Sequence, residues 1–345
     1  MEGFTIRPMF ANSRLPLLIS SQRGGSCDLA QWVREHRAFI DEKLLTHGAL
    51  LLRGFPVFTV EAFDDFAAAI SPQSVDYVYR STPRTAVGKK VFTATEYPAA
   101  QEIPLHNECA YQLTWPLKLA FCCITPATEQ GETPLADMRR VTAAISAETL
   151  ERYSTRNVRY VRHYMPFIDI PWQTVFQTDD REVVKQFCAD HDLTCEWLSS
   201  DTLRTTQVCQ GVAHHPVTGE RVLFNQAHLF HVSSLGAATA KSIIQTFGAD
   251  RLPRNSFYGD GEPLQQQDLD AVRSAFQREA IQFPWQRGDV LLLDNMQVAH
   301  GRRPFRGPRK VLAALFENHC PTARATRKPA SASAERAKEE WSVSA

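Results

Sequence analysis

From Trp285 to Phe316 the chain alternates turn-forming residues with apolar runs too short for a helix. Arg287, Gly288 and Asp289 form a turn, Val290 to Leu293 is wholly apolar, and Asp294 with Asn295 ends the run. An apolar stretch of that length between turn residues is a buried strand. A loop carrying His300 follows, then a second turn at Arg306 to Pro308, then a strand from Lys310 to Phe316. Two strands joined this way commit this part of the chain to a sheet.

Further β-prone runs read from Ala49 to Phe55, Val75 to Tyr79, Lys90 to Thr95, Leu119 to Ile124, Val158 to His163, Thr206 to Val212 and Arg221 to Phe224. Helical periodicity marks one helix capped by Asp28 and ending at Gly48, and a second capped by Thr59 and passing Phe66 and Ala69. Others are predicted over Val141 to Tyr153, Glu182 to Ala189, Ala237 to Phe247 and Gln266 to Arg278. The expectation is a mainly β fold with flanking helices, a double-sheet jelly roll whose mouth can hold a ligand. No Pro/Gly/Ser linker divides two cores, so residues 1–320 read as one domain. Residues 321–345 carry Ala, Ser, Lys, Arg and Glu without apolar period and read as a disordered tail.

Composition removes several function classes. In 345 residues, 43% are hydrophobic, enough for a core that encloses a site. Lys+Arg and Asp+Glu are 38 each, so no basic excess favours nucleic acid or anionic lipid. No apolar run is long enough to span a bilayer, and the start lacks a secretory pattern, so a cytoplasmic protein is expected. The 8 cysteines form no Cys-x-x-Cys pair, which argues against a zinc knuckle and for thiols in a reducing compartment. Oligomeric state is not legible.

His106 and Glu108 stand two apart, and on an extended strand both side chains leave by one face and can grip one ion. A His-x-acid triplet is expected about once by chance in a chain of this composition, so the pair needs company. His300, after the buried strand, supplies a second imidazole, and Arg309 opens the strand beyond it. Two imidazoles and one carboxylate on one face of a metal, with the other face open, is the arrangement of non-haem Fe(II) oxygenases. A structural zinc site would want four protein ligands. A metal-binding jelly-roll module without redox chemistry, and an assembly protein recruiting a partner through its tail, stand as alternatives.

Several segments together resemble one family. They are His106-Asn107-Glu108, Pro126 to Asp137, Phe224-Asn225-Gln226-Ala227-His228, Gly288-Asp289 through Asp294-Asn295, His300-Gly301-Arg302, and Arg309. The chain is identified as a member of the taurine dioxygenase (TauD/TfdA) family of Fe(II)/2-oxoglutarate-dependent oxygenases, in the branch near clavaminate synthase and the syringomycin-type amino-acid hydroxylases. The resemblance implies a double-stranded β-helix, with Fe(II) as metal and 2-oxoglutarate and O2 as cosubstrates. It implies that His106, Glu108 and His300 are the iron ligands, that Arg309 pairs with the far carboxylate of 2-oxoglutarate, and that Thr133 donates a hydroxyl to it. A planar, permanently charged fork suits that task.

Two departures inform the substrate. Glu108 stands where Asp is commoner, and a carboxylate there implies hydroxylation rather than the halogenation of relatives with a small residue at that place. Ala313 stands where taurine-type enzymes carry a second arginine, which argues against a small free acid or sulfonate. The resemblance implies attack on the β-carbon of an amino acid in specialised metabolism, held on a carrier protein or, alternatively, free. Tyr97, Trp115, Asn225, Gln226 and Arg302 are candidate substrate residues, with Tyr111 and Arg303 beside them. His228 and His231 read as pocket-lining or structural, and the His214-His215 pair, before Pro216, as exposed.

Overall fold

The computed structural model describes residues 3–22, 26–72, 79, 85–95, 97–165 and 168–321. Its largest sheet has seven strands in the order Phe4–Phe10, Ser13–Ser21, Ala49–Arg53, Val290–Asp294, Trp115–Thr125, Lys310–His319 and Phe92–Thr93. All neighbours are antiparallel except Ser13–Ser21 with Ala49–Arg53. A four-stranded antiparallel sheet runs Thr194–Trp197, Leu203–Cys209, Val158–Tyr164, Arg254–Tyr258. A three-stranded sheet, Ile103–His106, Val298–Arg302 and Leu135–Asp137, carries the residues of interest.

The continuous apolar runs follow from the large sheet being covered on both faces. Leu50, Leu52, Val290, Leu292, Ala120, Cys122, Leu312 and Ala314 pack against the helices Leu29–Glu35, Arg37–His47 and Val60–Ile70. Their alternates Leu51, Leu291, Leu293, Phe121, Cys123, Ala313 and Leu315 join the core shared with Tyr160, Tyr164, Leu203 and Cys209 of the four-stranded sheet. Each fully buried aliphatic side chain of these strands contributes roughly 1.5–3 kcal/mol, and the strand order places the metal-binding candidates at the edge of that inner core.

Where the sequence predicts a mainly β chain, helices and strands share the described residues in comparable measure. Asp28 and Thr59 do cap helices, accepting from the backbone N–H of Gln31 and Ala62. The helix expected from Asp28 to Gly48 is two, broken at His36, whose backbone leaves the helical region and whose Nδ1 meets the Trp32 carbonyl. Val141 to Tyr153 likewise divides, into Met138–Ala143 and Ala147–Arg156, because Ser146 caps the second helix at Thr149 N–H. The strand predicted over Lys90 to Thr95 shrinks to Phe92–Thr93, and that over Thr206 to Val212 lies earlier, at Leu203–Cys209. His300 sits within a strand, not a loop. The run Val75 to Tyr79, apart from Tyr79, and the tail from 322 onward lie outside the described residues.

Candidate functional site

His106 ends the strand Ile103–His106 and pairs in register with His300 of Val298–Arg302. Their rings lie 4.6 Å apart, and His300 Nε2 is 3.7 Å from Glu108 Oε2. One ligand atom from each of the three lies within 4.8 Å of the others, close enough to hold one metal ion. Glu108 and His300 are buried. His106 Nδ1 is 2.8 Å from the Pro104 carbonyl, which can only accept, so Nδ1 carries the proton and Nε2 presents the lone pair. Donor type, number and spacing all fit a divalent cation held on one face.

Glu108 does not reach this place by strand alternation, as the sequence predicts. The strand stops at His106 and the chain turns, with Cys109 at φ 57°. Asn295 holds the turn: its Oδ1 accepts from Glu108 N–H at 2.8 Å, and its Nδ2 donates to the carbonyls of Glu108 and Pro116 at 2.9 and 2.8 Å. Asn107 Nδ2 donates back to the Asn295 carbonyl at 2.6 Å. Asp294 shapes the way to His300: its Oδ1 accepts from the N–H groups of Met296 and Gln297, and its Oδ2 accepts from His215 Nε2 at 2.9 Å. His215, predicted to be exposed, is buried for that bond, whereas His214 is exposed. Asn295, Asn107 and His215 had no assigned role in the sequence. The available signal was a polar Asp-Asn pair closing a wholly apolar strand, since polar groups buried there must be bonded.

A small cleft of about 40 Å³, partly open to solvent, is lined by His106, His300, Phe121, Thr133, Arg302, Arg309 and apolar residues including Ile103 and Val311. Arg309 donates Nε to the Gly131 carbonyl at 3.1 Å, and no carboxylate among the described residues lies within ion-pair distance of it. Burial and the neighbouring Arg302 guanidinium lower its pKa to about 10, so it remains a cation at neutral pH. A half-buried cation with no carboxylate partner among the described residues can receive an anionic ligand. Thr133 Oγ1 accepts from Trp285 Nε1 at 3.1 Å, which leaves its own hydroxyl proton to donate.

Residues 12–315 match the family described as taurine catabolism dioxygenase TauD, TfdA family. The chain belongs to this family. It is similar to the dapdiamide synthesis protein DdaC of Enterobacter agglomerans, 36% identical over 323 residues that cover 93% of this chain and 97% of that protein. It is also similar to a clavaminate synthase-like protein of Arabidopsis thaliana, 32% identical over 297 residues, 83% of this chain and 86% of that one. Its fold is similar to that of PvcB from Pseudomonas aeruginosa, with a TM-score of 0.54 at 16% identity over 92% of each chain. This TauD/TfdA protein is an Fe(II)/2-oxoglutarate-dependent dioxygenase, and the metal, 2-oxoglutarate and O2 anticipated from the resemblance stand.

The remaining candidates of this TauD/TfdA chain separate by position. Arg302 lines the cleft, but Tyr97, Trp115, Asn225 and Gln226 do not. Tyr97 is 42% exposed, and Trp115 packs against Phe224 and His319. Asn225 bridges the Gly211 carbonyl and Ala227 N–H, and Gln226 donates Nε2 to the Asn107 carbonyl at 2.7 Å, so both spend their amides on backbone. Tyr111 is core, bonded to the Tyr79 carbonyl, and Arg303 pairs with Glu102. His228 is buried behind the strand of His106, with Nε2 at 3.1 Å from the Leu105 carbonyl, and burial lowers its pKa to about 3. His231 caps Ser233.

Proposed function

We propose that His106, Glu108 and His300 hold Fe(II) by one face and that Arg309, with Thr133, receives the distal carboxylate of 2-oxoglutarate. One observation carries this reading: His106 and His300 line the same cleft as Arg309, which has no carboxylate partner among the described residues, and Glu108 has a ligand atom within 4.8 Å of both imidazoles. Iron with 2-oxoglutarate and O2 supplies an oxidant able to take hydrogen from an unactivated carbon, with succinate and CO2 as coproducts. The chain's own part is placement. Arg309 and Thr133 orient the cosubstrate by its far end, His106 and His300 keep a lone pair toward the metal, and Phe121, Ile103 and Val311 make an apolar part of the cleft wall. As the third ligand, Glu108 would take the coordination place that a halide would need, so the expected product is hydroxylated, with desaturation or epoxidation as rarer outcomes and no chlorination.

The reading extends to the substrate. We infer β-carbon hydroxylation of an amino acid or derivative in specialised metabolism, with the carrier-bound form preferred. Ala313, buried beside the cosubstrate strand, supplies no second cation to clamp a small free acid, which supports a substrate whose acid is masked. The sheets and their flanking helices support a double-stranded β-helix as one oxygenase domain over residues 1–320. Anaerobic addition of Fe(II) and 2-oxoglutarate is expected to give a weak visible charge-transfer band. Absence of the band with iron loaded overturns the ligand assignment. Succinate release, compared at matched concentration on free amino acids and on the same amino acids loaded on carriers, decides the substrate form. Faster turnover on the free forms eliminates the carrier.

A further inference from the structure

Arg302 stands two residues beyond His300, and its side chain lines the cleft while the residue is only 6% exposed. Its position suggests a grip on substrate or cosubstrate, yet both terminal nitrogens are already engaged, and only the buried Nε has no partner. One terminal nitrogen donates to the Tyr97 carbonyl at 2.8 Å, and the other to the Pro98 and Gln101 carbonyls at 2.7 Å each. No carboxylate among the described residues lies within ion-pair distance of it. A ligand carboxylate taking the fork would have to break these bonds in a site where unmade bonds are costly.

The carbonyls it holds belong to one turn. Gln101 N–H bonds Pro98 O at 3.0 Å within that turn, and Phe305 N–H bonds Ala99 O at 2.9 Å from outside it. Phe305 connects the turn to the cosubstrate arginine. The guanidinium of Arg302 lies 5.1 Å from the centre of the Phe305 ring, and that of Arg309 lies 5.4 Å from the same ring. The chain just before the turn, Ala94 and Thr95, lines the cleft. Thus one buried fork joins the strand of a candidate metal ligand to the turn that follows a segment of the cleft wall and to the ring on which Arg309 rests.

We propose that Arg302 is a positioning residue: it latches the 97–101 turn to the iron-bearing strand and, through Phe305, sets Arg309 for 2-oxoglutarate. The proposal rests on the assignment of Arg309 above. A planar fork with fixed donors suits one turn's converging carbonyls better than an ammonium does.

Hydrogen exchange in the metal-free protein and anaerobic 2-oxoglutarate titration of the Fe(II) protein test it together. In Arg302→Met, amides of residues 99–103 are expected to exchange at least about tenfold faster, and 2-oxoglutarate affinity to fall about tenfold. Arg302→Lys, which keeps the charge and guards against misfolding of the Met variant, is expected to fall between wild type and Met in both readouts. Arg309→Ala is expected to lose affinity with exchange unchanged. Affinity lost in the Arg302 variants without faster exchange would mean direct ligand contact and overturns the latch, as does no change in either. If the wild-type protein binds no 2-oxoglutarate, the functional reading fails, while unchanged exchange in both Arg302 variants independently refutes the latch.

Discussion

Arg309 lines the cleft with one donor committed to Gly131 O and no carboxylate among the described residues to balance its charge. On the proposed assignment of Arg309, replacement by alanine leaves the 2-oxoglutarate carboxylate without its partner. The expected cost is roughly 3–5 kcal/mol, on the order of 10² to 10³·⁵ in affinity for 2-oxoglutarate. Arg309→Lys should recover part of it, since an ammonium restores the charge but not the fork. An unchanged Michaelis constant for 2-oxoglutarate in Arg309→Ala means that a different arginine serves. Asn295 touches none of the reactants, yet it holds both ends of the Glu108 peptide unit. Asn295→Ala is expected to weaken metal binding about 10- to 100-fold, as is usual when a residue orienting a ligand is lost. Titration with Co(II), followed by its visible spectrum, measures this without turnover, and wild-type affinity would refute the role.

At the scale of elements, the site depends on how closely two short strands approach. A Cβ on Gly301 would sit 2.6 Å from the Ile103 carbonyl, a backbone atom that cannot turn aside. Gly301→Ala should therefore push Ile103–His106 away from Val298–Arg302 and separate His106 from His300. Loss of the Fe(II)/2-oxoglutarate band in a variant whose far-ultraviolet circular dichroism is retained is the expected result. Helix Gln266–Glu279 shows a second dependence. Asp268, buried, accepts from Arg152, Tyr258 and Thr149, tying this helix to Ala147–Arg156 and Arg254–Tyr258. Asp268→Ala should destabilise by about 3 kcal/mol, read as a lower urea midpoint, because it strands buried partners.

For the whole molecule, acidity acts through two sets of groups. Burial lowers the pKa of His163, His228 and His231, His228 to about 3. Their unfolded forms take up protons first, so stability falls as pH drops below about 6.5. Burial works to raise Asp137, Asp169 and Asp268, but their arginine partners outweigh it and hold all three below 3.8. Their contribution is complete above the unfolded value and is lost as pH falls through the folded one. Urea unfolding should thus show stability declining from about pH 6.5 and more steeply below about pH 4. His228→Gln should flatten the first part of that decline. A profile flat from pH 7 to 4 in the wild-type protein would contradict the burial of these imidazoles.

Much of this was legible in one dimension. Val290 to Leu293 is apolar at every position, so it had to be a strand covered on both faces, and Asp28 and Thr59 capped the helices their chemistry predicts. His106, Glu108 and His300 stood out as one candidate metal-binding set because their donor types and order along the chain match one family, and the structure brings their ligand atoms together. Contacts between distant segments were not legible. Nothing local says that the strand of His106 ends there and that Asn295 places Glu108, or that His215 beside Pro216 is buried against Asp294. Nor does His300-Gly301-Arg302 disclose that the arginine spends its fork on carbonyls about 200 residues earlier in the chain. Periodicity and cap chemistry act between neighbours in sequence, whereas burial and the pairing of polar groups depend on which strands meet, and only the tertiary structure decides that.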